Sequence, residues 1–394
     1  MTIFAYTVAG VLLILIVAAD VYATILDDRP RVGPLGDTLN RLVWSLGHAA
    51  ASRLSRRNRH RALNLVGPLL MPGLIALYLT TLALGFALIY YPRLGAQFRF
   101  APGFGRPAFW DALYFSGITL TTVGYGDIMP QARGMRLLAV AEAATGVALI
   151  SLAITYLITV YGALQRKRIV ALSFYHQARE GANVAGFVEH HFVRGEFRGL
   201  SVFMRMAVRD LQELMESHIE LPILHYFHTV EVYKSMPRVL FLNLEMCAVL
   251  RSCLDEEAYV ETCGDPEVRN LEASARHVLT EFVKSLGLDG ERAGRDEADT
   301  FAESRRWELR FEQTLRHLEK SGIKTKRDRA AGWEEYRANR EEWEEPLLRF
   351  ARRLGYDWDE VTGDRDLRYA ADEAMERPRP EQGLPPAGGR EKPV

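Results

Sequence analysis

Long apolar segments alternate with charged ones over the first 165 residues, and amphipathic, charge-rich sequence follows. Residues 3–26, 65–91 and 135–164 are each long enough to cross the bilayer core as a helix. Residues 108–121 are apolar but too short to cross it. A re-entrant helix enclosed by protein suits them best, because backbone groups at membrane depth must be satisfied internally. The pattern predicts a helical membrane portion and a separate soluble portion.

Basic residues indicate how the spans are oriented. The connector 27–64 carries eight arginines, and the third span ends at the basic sequence 165–168. Short basic loops stay on the cytoplasmic side, so we expect the N-terminus and the loop around residue 120 to lie outside and the soluble portion inside. Helical spacing of Leu39, Leu42 and Leu46 predicts either a helix along the inner membrane surface or a basic loop that only fixes topology.

Composition narrows the class of protein. The formal net charge is −1, which gives no support for nucleic-acid binding. The three cysteines all lie in the soluble portion without the spacing of a metal site, and this favours reduced thiols in the cytosol. Asp20 interrupts the first span near its inner end, where we predict a structural role rather than an ion-binding one.

One short stretch, from Thr119 to Asp127, carries the chemistry that the rest of the chain supports. Its sequence is Thr-Leu-Thr-Thr-Val-Gly-Tyr-Gly-Asp. A pore that strips the water from a potassium ion must replace it with other oxygens, and backbone carbonyls can serve if the chain points them all inward. Gly124 and Gly126 tolerate the positive φ values that such a ribbon needs. Thr122 can add its hydroxyl, while Val123 and Tyr125 pack the ribbon from behind.

Span, outer loop, re-entrant helix, Thr-Val-Gly-Tyr-Gly-Asp and span together resemble the two-helix pore module of potassium channels, over residues 65–168. The resemblance implies potassium coordination by the filter residues Thr122, Val123, Gly124, Tyr125 and Gly126. It implies support of the filter by Asp127, Thr121 and Trp110, and a hinge in the inner helix at Gly146. Gly146 lies twenty residues after Gly126, as the hinge glycine does in this family.

The same resemblance places a stripe of inner-helix residues against the central cavity: Val147, Ile150, Ile154 and Ile158. They could line the cavity or close it as a hydrophobic gate. Glu142 is an acid within the inner-helix span, with either a structural or a gating role. Some relatives carry a glutamate that pairs with the filter aspartate, but Ile118 stands at that place here, so Asp127 lacks that partner.

A ring of filter carbonyls needs four chains, so we expect a homotetramer in the cell membrane. The permeant potassium ion is the only ion or cofactor expected, and no metal site is predicted. The partners are other copies of the chain and the lipid bilayer, together with a regulatory ligand or protein of unknown identity on the soluble domain. No charged helix has the arginine spacing of a voltage sensor.

The soluble portion is predicted to be mainly α-helical and to show no dinucleotide-binding fingerprint. Metal sites built on His225 and His228, or on Glu189, His190 and His191, are possible, but the spacing favours packed or surface histidines. Four tryptophans in the charged sequence after residue 290 suggest exposed helices that use aromatic contacts, within the domain or to another subunit.

The predicted fold is therefore an all-α membrane protein in five parts. These are a first span at 1–26, a basic connector at 27–64, the pore module at 65–168, an α-helical soluble domain at 169–376 and a disordered tail at 377–394. Two further functions stay open. The module could serve only to tetramerise a membrane-anchored sensor or enzyme, or the pore could be a weakly selective cation channel. No nucleophile–base pair or phosphate loop supports an enzyme.

Overall fold

The computed structural model describes residues 2–27, 33–102, 108–177, 184–288 and 297–363. Within them the chain is mostly helical, and the four short strands form two antiparallel pairs. Three helical segments are long and apolar enough to cross a membrane. The prediction of an all-α membrane protein is confirmed. The tail predicted at 377–394 lies outside the described residues.

Fourteen α-helices are present in the described residues. In chain order they are α1 Thr2–Val21, α2 Pro34–Ala51, α3 Arg56–Tyr90, α4 Leu94–Gln97, α5 Phe109–Leu120, α6 Arg133–Gln177, α7 Val184–His190, α8 Leu200–Glu220, α9 Met236–Ser252, α10 Val260–Cys263, α11 Pro266–Ser285, α12 Glu297–Lys320, α13 Arg329–Arg353 and α14 Trp358–Thr362. Strands β1 Phe98–Phe100 and β2 Ile128–Pro130 pair antiparallel, as do β3 Phe192–Val193 and β4 Glu196–Phe197.

The second and third membrane helices are longer than their apolar sequence. Helix α3 begins at Arg56, nine residues before the predicted span, and α6 continues to Gln177, past the basic sequence 165–168. A change in hydropathy marks where a helix can leave the hydrocarbon core of the bilayer, but it does not break the backbone hydrogen bonds of that helix. The connector is also mostly helical, because α2 occupies much of it.

The chain forms two compact units. The first consists of Met1–Leu46, Val66–Gly162 and Glu220–Leu224, and the second contains the described residues of Gly47–Leu65, Ala163–Ile219 and His225–Val394. Residues 47–65 therefore group with the soluble sequence. The predicted domain ranges placed residues 47–64 in the connector and Leu65 in the pore module.

A close glycine contact joins α1 to α3 in the first unit. A Cβ added at Gly10 would lie 2.4 Å from the carbonyl oxygen of Gly85, and one at Gly85 would lie 3.0 Å from that of Gly10. Small residues at such crossings let two helix backbones approach in lipid, where packing rather than the hydrophobic effect holds helices together. The additional N-terminal span is therefore packed tightly against the outer helix.

The buried Asp20 carboxylate caps α2. It accepts hydrogen bonds from the backbone N–H groups of Leu35 at 2.8 Å and Gly36 at 3.2 Å, and from the Tyr78 hydroxyl at 2.6 Å. The first turn of a helix has N–H groups without partners inside the helix, and a carboxylate satisfies them. These contacts are those of a structural residue, which is the role predicted for Asp20.

In the second unit α9 forms the centre. Sixteen of its seventeen residues are buried, and it packs against α7, α11, α13 and α14. The apolar residues of α11 recur on one face and are buried there, and Glu272 is the charged residue buried with them. The core of the second unit is thus a helix that other helices surround.

Helix α13 corrects the prediction that the charged C-terminal helices are exposed. Its Arg340 is only 1% exposed and forms ion pairs with Glu245 at 2.8 Å and Glu344 at 2.6 Å. Four aromatic rings lie 5.1 to 5.7 Å from the guanidinium, those of Phe241, Trp307, Tyr336 and Trp343. Carboxylates and aromatic rings both stabilise a guanidinium, and these contacts allow a charged helix to enter the core.

We expect Arg340→Met to destabilise the protein by about 3–5 kcal/mol, because it removes the guanidinium that pairs with the buried Glu245 carboxylate. Arg337→Met is the matched control on the same helix, since Arg337 is half exposed and pairs with Glu334 and Glu341 at the surface. Surface pairs contribute about 0–1 kcal/mol. Denaturant unfolding of the purified protein measures both, and equal losses would contradict the buried role of Arg340.

Candidate functional site

The ribbon from Thr122 to Gly126 has the unusual backbone that its glycines predict. The φ angles of Gly124 and Gly126 are +56° and +78°, and that of Thr122 is +60°. Positive φ at a threonine is costly because its Cβ crowds the following carbonyl. Sequence reasoning identified the two glycines but gave no sign of Thr122, whose conformation is imposed by its surroundings.

The carbonyl oxygens of the ribbon are free. Among the described residues, none of those from Thr122 to Gly126 accepts a hydrogen bond, although the N–H groups of Val123 and Gly124 both donate to Ile118 O at 2.8 and 3.2 Å. All six residues from 121 to 126 are exposed in the single chain. Exposed carbonyl oxygens that accept no hydrogen bond are available as ligands for a cation.

Helix α5 holds the inner end of the ribbon. Its N-terminus is capped by Asp111, which accepts from the Ala108 N–H at 2.7 Å. At the other end Thr121 is the C-cap residue, and its hydroxyl donates to Gly117 O at 2.7 Å. The partial negative charge of a helix C-terminus favours a cation nearby. The predicted re-entrant helix at 108–121 therefore matches α5 to within one residue at each end.

At the outer end of the ribbon, Asp127 has a partner that the sequence did not reveal. The Tyr114 hydroxyl donates to Asp127 Oδ2 at 2.8 Å, and the Ile128 N–H donates to Oδ1 at 3.0 Å. Ile118 indeed supplies no acid, but Tyr114 lies one helical turn earlier and its longer side chain reaches the same carboxylate. The pairing of β1 with β2 then fixes the segment that leaves the ribbon.

Glu142 lies fully buried behind α5. It accepts hydrogen bonds from the hydroxyl of Tyr90 on α3, at 2.8 Å, and from that of Ser116 on α5. One carboxyl group thus links the three helices that surround the ribbon. These contacts suit the structural alternative for Glu142, and its role in gating stays a prediction.

Gly146 lies where α6 passes closest to the end of α5. A Cβ at this position would lie 1.9 Å from the carbonyl oxygen of Leu120, which is far inside van der Waals contact. Helix α6 is uninterrupted here. The hinge implied by the family resemblance stays a prediction, and the structure adds a packing reason for glycine that sequence spacing could not reveal.

The predicted cavity stripe and Trp110 are exposed in the single chain. The four stripe residues are Val147, Ile150, Ile154 and Ile158. Trp110 is 73% exposed and makes a ring contact with Phe109, and among the described residues its side chain makes no hydrogen bond or ring contact with the ribbon. Exposed apolar side chains on this scale mark surfaces that meet lipid or other subunits. The support of the filter by Trp110 stays a prediction.

In the second unit, the histidines do not form the metal-binding sets that the sequence suggested. His225 lies 3.1 Å from the Ser285 hydroxyl, whereas His228 bonds to His60 at 2.6 Å. Glu189 bonds to His317 at 2.9 Å. In the part of the chain that the structure describes, no three histidine, cysteine or acidic residues lie close enough to hold a metal ion.

Comparison with known proteins agrees with this geometry. Residues 75–162 match the family described as "Ion channel". The chain is also 28% identical over 268 residues to the "Uncharacterized membrane protein YdjJ" of Bacillus subtilis (strain 168), which covers 66% of this chain and 71% of that protein. No solved structure matches the chain significantly. The matched range contains the ribbon, α5 and the part of α6 that packs against them.

We expect Gly146→Ala to lower the thermal stability of the protein strongly, because its methyl group overlaps the Leu120 carbonyl and forces the two helices apart. Gly162→Ala on the same helix is the control, since a Cβ there meets nothing within 4 Å. Thermal unfolding in detergent measures both variants. If Gly146→Ala is as stable as Gly162→Ala but alters only channel opening, the hinge explains this glycine and the packing contact does not.

Tyr114→Phe removes the hydroxyl that bonds Asp127 and leaves the ring in place. We expect ion flux to decline faster in the variant when external potassium is lowered, because the outer end of the ribbon then loses a restraint. Tyr22→Phe is the control, since the Tyr22 hydroxyl has no hydrogen-bond partner among the described residues. Flux into vesicles at graded potassium concentrations is the measurement, and identical curves for the three proteins would exclude a role for the Tyr114 bond.

Proposed function

We propose that this chain, whose residues 75–162 match the ion channel family, is one subunit of a homotetrameric potassium-selective channel. The observation that carries the proposal is the ribbon of free carbonyl oxygens between Thr122 and Gly126. Four such ribbons around one axis supply stacked rings of oxygens, and these replace the water shell of a dehydrated potassium ion.

Apolar side chains that are exposed in the single chain support assembly into a tetramer. Tyr125 is 72% exposed and Val123 51% exposed in the single chain, although both belong to an apolar module. The stripe on α6 is exposed as well. Closed fourfold symmetry gives each of these surfaces a neighbour or the central cavity. In this arrangement Val147 and Ile150 line the cavity below the filter, and Ile154 and Ile158 lie where a hydrophobic gate would form.

The proposed channel lies in the cell membrane with its N-terminus outside and its soluble unit in the cytoplasm. The clustered basic residues of the connector and of 165–168 favour this orientation. Passive conduction requires no catalytic group. Regulation passes through the soluble unit, because both α3 and α6 contribute residues to it.

Reconstitution of the purified protein in lipid vesicles tests the proposal. We expect potassium efflux that exceeds sodium efflux, and its loss in Gly124→Ala, because alanine is strained at a φ of +56°. Gly134→Ala is the matched control, since a Cβ there meets nothing within 4 Å.

The possible outcomes separate the open alternatives. Equal potassium and sodium flux would indicate a weakly selective cation channel. A tetramer that passes no ion under any condition would favour a membrane-anchored sensor or enzyme, and a monomer in detergent and in lipid would overturn the proposal altogether.

A further inference from the structure

Three buried polar side chains in the second unit form one unbroken series of contacts. His60 lies on α3, His228 follows the turn Pro222–Tyr226, and Glu360 lies on α14. Their exposed fractions are 0%, 4% and 1%. His60 Nδ1 lies 2.6 Å from His228 Nε2, and His60 Nε2 lies 3.2 Å from Glu360 Oε2. The imidazole of His60 thus joins α3 to two other parts of the same unit.

The backbone at one end of the series fixes the positions of the protons. His228 Nδ1 lies 3.0 Å from Leu354 O, and a carbonyl oxygen only accepts, so this nitrogen carries a proton. Each of the three contacts needs one proton between its two atoms, because two lone pairs at hydrogen-bond distance repel each other. Two neutral imidazole rings supply one proton each, and an ionised carboxylate supplies none. The three contacts therefore require one proton more than neutral histidines and an ionised Glu360 contain.

The additional proton lies between His60 and Glu360. Burial, with the neighbouring His60, lowers the pKa of His228 well below its usual value, so His228 is neutral and its Nε2 accepts from His60 Nδ1–H. His60 Nε2 and Glu360 Oε2 then share the proton that remains. Glu360 Oε1 has no hydrogen-bond partner among the described residues, which favours an uncharged carboxyl group over a buried carboxylate. The pair is neutral overall while it holds this proton.

Charged groups beside the site balance one another. Arg59 pairs with Asp357 at 2.5 Å, and Arg56 pairs with Asp357 at 3.1 Å and with Asp359 at 3.4 Å. These groups keep their charges at neutral pH. The other charged or titratable groups near the site are His48 on α2, Lys167 on α6, Arg238 on α9, Arg353 at the end of α13, and Tyr356. In the part of the chain that the structure describes, the Glu360 side chain forms its hydrogen bond with His60 and with none of these groups.

We propose that His60, His228 and Glu360 form a proton-binding site, and that its one shared proton attaches α3 to α14. As the pH rises, the proton passes from the pair to water, and the Nε2 lone pair of His60 then faces a buried carboxylate. These two groups repel each other, and a buried carboxylate without a donor is costly. The attachment is therefore present at lower pH and is weakened when the site is deprotonated.

The proton acts at one end of a long helix. Helix α3 continues from His60 into the first unit, where it reaches the residues that match the ion channel family. Under the proposed function, on which this step alone rests, the pH of the cytoplasm would act on the outer helix of the pore. Proton binding itself needs no conduction, so the site can be tested whether or not the chain proves to be a channel.

Denaturant unfolding of the full-length protein in detergent, from about pH 7 to about pH 9, provides the first test. In this range the histidines of the unfolded chain are neutral and its glutamates are ionised, so the unfolded chain binds one proton fewer at this site than the folded chain. Stability then falls as the pH rises. We expect the unfolding equilibrium constant to increase by up to about tenfold per pH unit until the folded site loses its proton.

Glu360→Gln separates this site from the other titrating groups. Its amide N–H donates to His60 Nε2 without a titratable proton, so the pH dependence that belongs to the site should be absent from the variant. Asp357→Asn is the matched control, because it removes ion pairs with Arg56 and Arg59 that join the same two helices. It should unfold more readily at every pH and keep the wild-type slope. Equal slopes for the wild type and Glu360→Gln would overturn the proposal.

Solid-state NMR of the wild-type protein in lipid, labelled with carbon-13 and nitrogen-15, counts the protons without a variant. At neutral pH, either a doubly protonated His60 or a protonated Glu360 carboxyl group supports the proposal. A neutral His60 beside an ionised Glu360 would overturn it, since their contact would then lack its proton.

Discussion

The unpaired carbonyl oxygens between Thr122 and Gly126 are the constraint on which the structure of the first unit depends. A backbone left to itself would pair them in a helix or a sheet, since unpaired polar groups in an apolar setting cost several kcal/mol each. The surrounding helices prevent this. Helix α5 takes up the N–H groups of Val123 and Gly124 through one carbonyl, that of Ile118. Tyr114 holds Asp127 at the end of the ribbon. Glu142 links α3 and α6 behind α5.

The sequence predicted the parts of this site that local chemistry dictates. Gly124 and Gly126 signal a left-handed backbone by themselves, and hydropathy alone separates the three spans from the re-entrant helix. It could not predict contacts between residues that are distant along the chain. The Leu120 carbonyl explains Gly146 only once α5 and α6 are packed, and the reach of Tyr114 to Asp127 depends on where the ribbon turns. Only the family resemblance links Trp110 to the filter, and its side chain lies exposed in the single chain.

The second unit shows a different limit of prediction from sequence. Its helical nature was predictable from periodicity, but the position of its charged helices was not. Arg340 belongs to a sequence that looks solvated, and it becomes a core residue because Glu245 supplies a carboxylate from another helix. Similarly, the basic sequence at 165–168 looked like the end of a membrane helix. Instead α6 continues, and within that basic sequence Lys167 turns inward among aromatic residues while Arg168 stays exposed.

The cap formed by Asp20 has a consequence for biosynthesis. Its hydroxyl donor, Tyr78, lies 58 residues further along the chain. At a synthesis rate of about 5–20 residues per second, the first span leaves the ribosome roughly 3–12 seconds before its partner exists. During that interval an acid stands in a nascent helix at the insertion machinery without its final ligands. The buried site of Asp20 is therefore completed only after the second span has been synthesised.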